Sequence, residues 1–586
     1  MLTALFVALL ALLLWFGIAP SGEESGDYSE SFWKVLTVAL SPEAAEELGW
    51  LYRLVMLLVA VIGILIVSTL IGVLTARIEA KFESLRRGRS LVIEKNHIVV
   101  LGWSSKIYTV LEELSCANEN QRNACVVILA DKDKVDMEEA IADNINTKSF
   151  ISFVCRTGNP TRISDVKIVN PTQAKSVIVL QDINSGSDST CLKVCLALMR
   201  VFGGDITCPV AVEMQDVRSV DALLRIDSDI QAVRSGNIIA RVLVQASRQP
   251  GLSDVYDEVM SFHGGEIYFF PPSKVVGYTV GNAMLALENC SLIGLFEEGR
   301  NIILNPSAEQ VIRNTDKLIV IAEDDIEVVL RDTELEPLTT QIQRNSETPK
   351  PESVLIVGWH QDANIFVNEL QKLLPKNSSV LLMFDTSKTD GPDEAALELG
   401  TLAFTLMQGE TTQRSFLESA DLETFDHIVV LGYSDSLGVN DADGESLLTL
   451  IQLRDLIQSK DLDVNIACEL LNTHNRELVA TEQNEDYVAS EDLVAKNLVQ
   501  IAENEHVEKV FKTLLTADDS EFHMRSICNY LEPNNATEYA QVVANGLPLN
   551  EMVIGYRKDG VCVLNPCKSD KVALNENDSI IVLAEE

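Results

Sequence analysis

The sequence predicts an α-helical membrane module with two spans followed by tandem α/β units. Each unit is expected to be a doubly wound parallel sheet with a small α+β C-lobe. Three observations carry this expectation. Leu54 to Leu74 is an almost unbroken apolar run, the length that crosses a hydrocarbon core of about 30 Å at about 1.5 Å per residue. Further on, short apolar strands alternate with helical stretches of about ten to fifteen residues. The downstream chain also repeats itself, the mark of duplicated units.

In chain order, Leu2 to Ala19 is apolar except for Thr3. It lacks the basic leader and the small-x-small cleavage site of a removable signal, so it reads as a first span, residues 2–19. The chain start and this first apolar residue almost coincide, which leaves room for further spans upstream. From Ser21 to Gly49 the chain carries Glu23, Glu24, Asp27, Glu30, Glu43, Glu46 and Glu47 against Lys34 alone. Within that loop Ser31 to Leu40 is a short apolar helix closed by Ser41-Pro42, too short to cross but suited to dip in and return. The pore or filter positions are therefore Thr37, Ala39, Leu40, Ser41, Pro42, Glu43, Glu46 and Glu47. They do not resemble the TVGYG ladder of potassium channels. Repeated by symmetry, Glu43, Glu46 and Glu47 make either carboxylate rings that favour cations or an exposed outer rim.

The second span is expected as an inner helix over 50–76. Ser68, Gly72, Thr75 and Glu79 fall on one helical face, which suits a wet pore wall or ordinary small-residue packing. Gly63 and Gly72 serve either as hinges or as packing glycines. Arg77, Lys81, Arg86, Arg87 and Arg89 follow the span directly, so the positive-inside rule places residues 77–586 in the cytosol. Ala76 to Leu85 continues without Gly or Pro, and a linker helix is assigned to 77–95.

The first cytosolic unit is assigned to 96–332, with an N-lobe at 96–234 and a C-lobe at 235–332. A Pro-containing connector covers 333–351, and the second unit covers 352–586. Val99-Val100-Leu101-Gly102-Trp103 recurs as Leu355-Ile356-Val357-Gly358-Trp359, and Glu213 and Glu469 each lie 111 residues beyond their own turn glycine. Asp131 and Asp385 follow the second strands, as a ribose-binding acid would, but Trp103 and Trp359 stand where the fingerprint needs backbone against pyrophosphate. NAD is not expected, and no nucleophile–base–acid set argues for an enzyme. A net charge of −41 argues against nucleic acid. Eleven cysteines without CxxC spacing read as reduced thiols.

The run Asn96-His97-Ile98-Val99-Val100-Leu101-Gly102-Trp103-Ser104, the helix Asp441 to Asp455, and a pore helix between spans resemble the CASTOR/POLLUX branch of RCK-gated ion channels. Two departures stand out: plant members have more than two spans, and the Ser41-Pro42-Glu43 return differs from their filter. The resemblance implies a homotetramer with eight RCK domains in a cytosolic ring, opened by a ligand that is often Ca²⁺. Candidate ligating carboxylates are Glu213 with Asp216, Glu469, and the partial calcium loop Asp441, Asp443 and Glu445, which lacks the final glutamate of an EF-hand. Asp443 reads equally as a helix cap. The expected function is a ligand-gated cation channel in a prokaryotic plasma (inner) membrane, passing cations through the lipid bilayer. The alternatives are a membrane-anchored regulatory subunit of a cation transporter and a dinucleotide oxidoreductase.

Overall fold

The computed structural model describes residues 33, 50–86, 88–121, 123–145, 151–181, 188–227, 229–297, 301–323, 328–331, 350–479, 485–504, 506–515 and 520–585. The first span, the pore helix apart from Trp33, the filter positions from Thr37 to Glu47 and most of the 333–351 connector lie outside these residues. The chain divides into two units, Met1–Ser90 and Leu91–Glu586.

In the first unit, α1 runs unbroken over Trp50–Arg86, 37 residues, or about 55 Å. Leu54, Leu57, Val61, Ile64, Leu65, Leu70, Ile71 and Leu74 are all exposed on it, so its apolar residues point in every direction instead of lining one buried stripe. Among the described residues no helix is long and apolar enough to cross a membrane. Ser68, Gly72, Thr75 and Glu79 are exposed, whereas Gly63 is buried. The linker helix ends earlier than the sequence predicts. It stops at Arg86, and Gly88 adopts φ +64°, a left-handed turn that terminates helices and that glycine adopts without strain; residues 88–95 are not helical.

The second unit holds both repeats. The first begins with β1 (His97–Leu101), α2 (Ile107–Ala117), β2 (Cys125–Ala130), α3 (Lys134–Asn144), β3 (Ser152–Thr157) and β4 (Ala174–Val179). It continues with α4 (Asp188–Phe202), β5 (Val210–Met214), α5 (Val217–Ile226) and β6 (Ile230–Arg234). These strands form one parallel sheet in the order β3-β2-β1-β4-β5-β6, the doubly wound order of a dinucleotide-binding fold. The chain then passes through α6 (Ser235–Arg248) and α7 (Leu252–Met260) into β7 (Gly265–Phe270), α8 (Val280–Ala286), β8 (Ser291–Glu297), β9 (Asn301–Leu304) and β10 (Lys317–Glu323). These four strands make an antiparallel sheet ordered β7-β10-β8-β9.

The second repeat copies this plan. β11 (Ser353–Val357), α9 (Ala363–Leu373), β12 (Ser379–Phe384), β13 (Ala403–Gln408), β14 (His427–Val430), α10 (Val439–Lys460), β15 (Asn465–Leu470) and β16 (Glu485–Ala489) build its parallel sheet. α11 (Ser490–Glu503) and α12 (Val507–Leu514) lead to a second antiparallel sheet, which contains β17 (Glu521–Ser526).

Strand alternation fixes where the cores sit. Val99 and Leu101 join Cys195 and Leu198 of α4 on one face, while Ile98 and Val100 face the other way, into a core shared with the second repeat. In the second repeat Leu355 and Val357 pack with Leu450 and Leu453 of α10, and Val354 and Ile356 enter the shared core. That shared core is built by exchange: α6 of the first repeat packs on α9 of the second, and α11 of the second packs on α2 of the first.

Candidate functional site

The exchanged helices bring the glycine turns of both repeats to one polar cleft. Each turn is tight: a Cβ on Gly102 would lie 2.6 Å from the Leu180 carbonyl oxygen, and one on Gly358 would lie 2.0 Å from that of Leu431. Positive φ at both positions, +110° and +94°, adds the second reason that only glycine fits. Trp359 is buried against the sheet. The Tyr433 hydroxyl accepts from the Asp385 amide at 3.0 Å and meets Thr411 Oγ1 at 3.0 Å. In the first repeat, Trp103 is half-buried and stacks under the Lys132 ammonium, 4.6 Å from its ring centre.

What stands at each turn is a side-chain cation. Lys106 Nζ lies 3.2 Å from Oε1 of Glu213. Across the cleft His360 Nε2 lies 3.0 Å from Oε2 of Glu469. The two glutamates occupy equivalent positions near the ends of β5 and β15, and both are almost fully buried, 1% and 3% exposed. Burial alone disfavours both charges of such a pair, and here the partner outweighs it. Burial opposes the charge on Lys106, but Glu213 and Glu491 together hold its pKa above the usual lysine value. Burial likewise opposes a charged His360, yet Glu469, then Asp362 and Asp435, push it up to about 9. Glu469 is held low despite burial by His360, by the Ser490 hydroxyl at 2.7 Å and by the Gly432 amide.

Both ion pairs line one cavity of about 140 Å³, together with Asp362 and Glu491. It adjoins a cleft of about 910 Å³ between α2, the end of α7 and the start of α11. Ser105 and Thr109 of the first repeat bridge it, donating at 2.6 Å each to Glu491 and Asp492 of the second. The cavity wall thus carries four carboxylates against two cations, an arrangement that admits cations and repels anions.

Of the carboxylates named from the sequence, the structure brings Glu213 and Glu469 together and leaves the others apart. Asp216 caps α5 by accepting from the Arg218 amide. Asp441 is exposed in the first turn of α10. Glu445 pairs with Lys388 at 2.8 Å, and Lys388 reaches Asp385 at 3.3 Å. Asp131 is exposed and meets Asn159 at 3.4 Å. Asp443 does not cap its helix. α10 begins earlier, at Val439 after Gly438, so Asp443 points inward and accepts from the amides of Leu471 and Asn472 and from Asn475 at 2.6–3.0 Å. Among the described residues no group of three or more His, Cys, Asp or Glu is placed to hold a metal ion. Sequence reasoning missed Lys106 and Glu491 because the two repeats use different turn positions for the cation, so aligning them does not pair it with its glutamate.

Comparison with known proteins decides the family. The chain is 30% identical to the "Probable ion channel POLLUX" of Arabidopsis thaliana over 99% of its own length and 76% of that protein. This chain belongs to the CASTOR/POLLUX family of ion channels. The "Ion channel CASTOR" of Lotus japonicus is 28% identical over 99% of this chain and 73% of that one. Residues 236–336 match the family model described as "Castor and Pollux, part of voltage-gated ion channel", and residues 94–202 match "Calcium-activated potassium channel slowpoke-like RCK domain". The human SLO3 gating ring superposes with a TM-score of 0.57 at 14% identity, over 83% of this chain and 98% of that one, and shows a shared fold. The chain is thus an ion channel of the CASTOR/POLLUX type with RCK domains like those of a gating ring, and not an enzyme. These relatives are plant proteins, so they lend no support to a prokaryotic membrane.

Proposed function

We propose that four copies of this chain form a cation channel whose residues 1–76 line the pore. In this reading eight RCK domains make a cytosolic ring that opens the pore when a small ligand enters the cleft between repeats. The carrying observation is the exchange of α6 and α11. Because each crossing helix is anchored in the opposite repeat, a ligand that changes the spacing of the Lys106–Glu213 and His360–Glu469 pairs must rotate one repeat against the other. The exposed apolar residues of α1 between Leu54 and Leu74 support its reading as the inner pore helix.

The carboxylate excess of the cleft favours a cationic ligand, and Ca²⁺ is the natural first trial. To matter, it must bind open and closed rings differently by a few kcal/mol. Purified protein in planar bilayers tests the proposal through reversal potentials across ionic gradients. Single-channel steps that follow the cation gradient and respond to Ca²⁺ on the cytosolic side support it. Silence at every voltage, with and without Ca²⁺, would instead favour a membrane-anchored transporter subunit.

A further inference from the structure

Beside the large cleft, which Glu113, Ser261 and His263 line, the first repeat carries a side-chain set that gating by a cation does not use. Cys116, in the last turn of α2, places Sγ 3.1 Å from Nε2 of His263. The other ring nitrogen, Nδ1, lies 3.3 Å from Ser261 Oγ and 3.5 Å from Oε1 of Glu113. Glu113 is fixed in turn: its side chain is buried and accepts from Ser261 Oγ at 2.9 Å and from the Phe262 amide at 2.6 Å. A thiol on one imidazole nitrogen and an oriented carboxylate at the other is the arrangement by which a histidine takes the proton from a nucleophilic cysteine. Hydrogen bonding to Cys116 and then to Glu113 pushes the His263 pKa up to about 10 in spite of partial burial.

The duplication supplies an internal comparison. At the same offset that relates Gly102 to Gly358, Glu113 corresponds to Glu369 and Cys116 to Lys372. There Lys372 Nζ sits 2.9 Å from Glu369, with Arg241 at 3.5 Å. The second repeat satisfies its buried glutamate with ordinary cations, so the fold does not require a thiol at this place. The thiol is also reachable, because Cys116 is only half-buried and the His263 side chain is 61% exposed.

We propose that Cys116 is a thiol-modification site that exchanges with low-molecular-weight disulfides. His263 Nε2 takes the proton from Cys116 Sγ, and the thiolate attacks one sulfur of the disulfide. A bond from Cys116 to that sulfur forms as the original S–S bond breaks, and the departing thiolate leaves as a thiol with the proton held on His263. One disulfide is consumed and one is made. The new substituent lies between α2 of the N-lobe and the Ser261–Gly264 turn that leads into β7 of the C-lobe, so it alters the spacing of the two lobes. That regulatory consequence rests on the channel reading above; the thiol chemistry does not.

The charged groups facing this corner are Glu112 and Glu113 of α2, Glu258 of α7, Asp492 of α11 and His474. The test exposes purified full-length protein to oxidised glutathione at pH 6.5 and at pH 8.5 and follows adducts by peptide mass spectrometry. Cys528, which is exposed, is the comparator. Cys116 is expected to react at least about tenfold faster than Cys528 at pH 6.5. His263→Asn, at a largely exposed side chain, should remove that advantage at pH 6.5 and leave a rate that climbs with pH as that of Cys528 does. Equal rates for Cys116 and Cys528, or an unchanged rate in His263→Asn, overturn the assignment. In bilayers the adduct should change open probability in the unmodified sequence and not in Cys116→Ser. Currents indifferent to a proven adduct overturn the regulatory consequence, whereas absence of current in every variant counts against the channel reading while the adduct rates still decide the thiol.

Discussion

Two glutamates at the centre of the second unit are buried, and each faces one neighbouring cation. Removing that cation leaves a desolvated carboxylate without a counter-charge, and breaking a buried pair typically costs about 3–5 kcal/mol. Lys106→Met is therefore expected to lower the unfolding free energy measured in urea by that order, and Lys106→Met combined with Glu213→Gln to recover most of the loss. A double variant no more stable than the single one would show that Lys106 contributes by packing and not by charge. The histidine pair adds a pH dependence. His360 is raised from 6.5 to about 9, so the folded state binds its proton more tightly than the unfolded chain does. Its contribution is fully present below about pH 6.5 and is lost as pH rises through about 9, amounting to about 3 kcal/mol. Denaturation midpoints measured from pH 6 to pH 10 should fall across that window, and His360→Asn should flatten the slope. The turn glycines and the two glutamates were legible as residues, since the repeat aligns them. Their cations were not, because Lys106 stands four residues after its glycine and His360 only two.

At the scale of elements, α10 shows how a helix can be recognised while its start is misplaced. An Asp-x-Asp-Gly-Glu run resembles both a calcium loop and a helix start, because short acidic side chains serve equally well in caps and in coordination. Position in the fold settles the matter. With α10 opening at Val439, Asp443 lies a full turn inside and ties the helix to the segment that leaves β15. Asp443→Asn replaces one acceptor with a donor facing donors and is expected to destabilise by about 1–3 kcal/mol, read as a lower Tm in calorimetry. An unchanged Tm would mean that the latch contributes nothing. The same lesson applies at α1, whose helical composition continues past Arg86 while the single residue Gly88 ends it.

For the whole molecule, the proposed assembly predicts four copies per detergent-solubilised particle by light scattering. It also predicts that a chain cut after Arg89 loses its response to the cytosolic ligand. A truncated protein that keeps full sensitivity would remove the gating role from the RCK domains. Length, apolar runs and internal repetition by themselves determined the tandem α/β plan and the parallel sheets, because strand alternation and duplication are written along the chain. The family was legible only through the resemblance of the Asn96–Ser104 run and the Asp441–Asp455 helix. Only the tertiary structure decided that α6 and α11 are exchanged between repeats, that Lys106 and His360 neutralise Glu213 and Glu469, and that Cys116 meets His263 across 147 residues. The physical reason is common to all three: each is a contact between side chains far apart in sequence, set by how two lobes pack, and residue spacing records periodicity within an element but not the partner that an element finds.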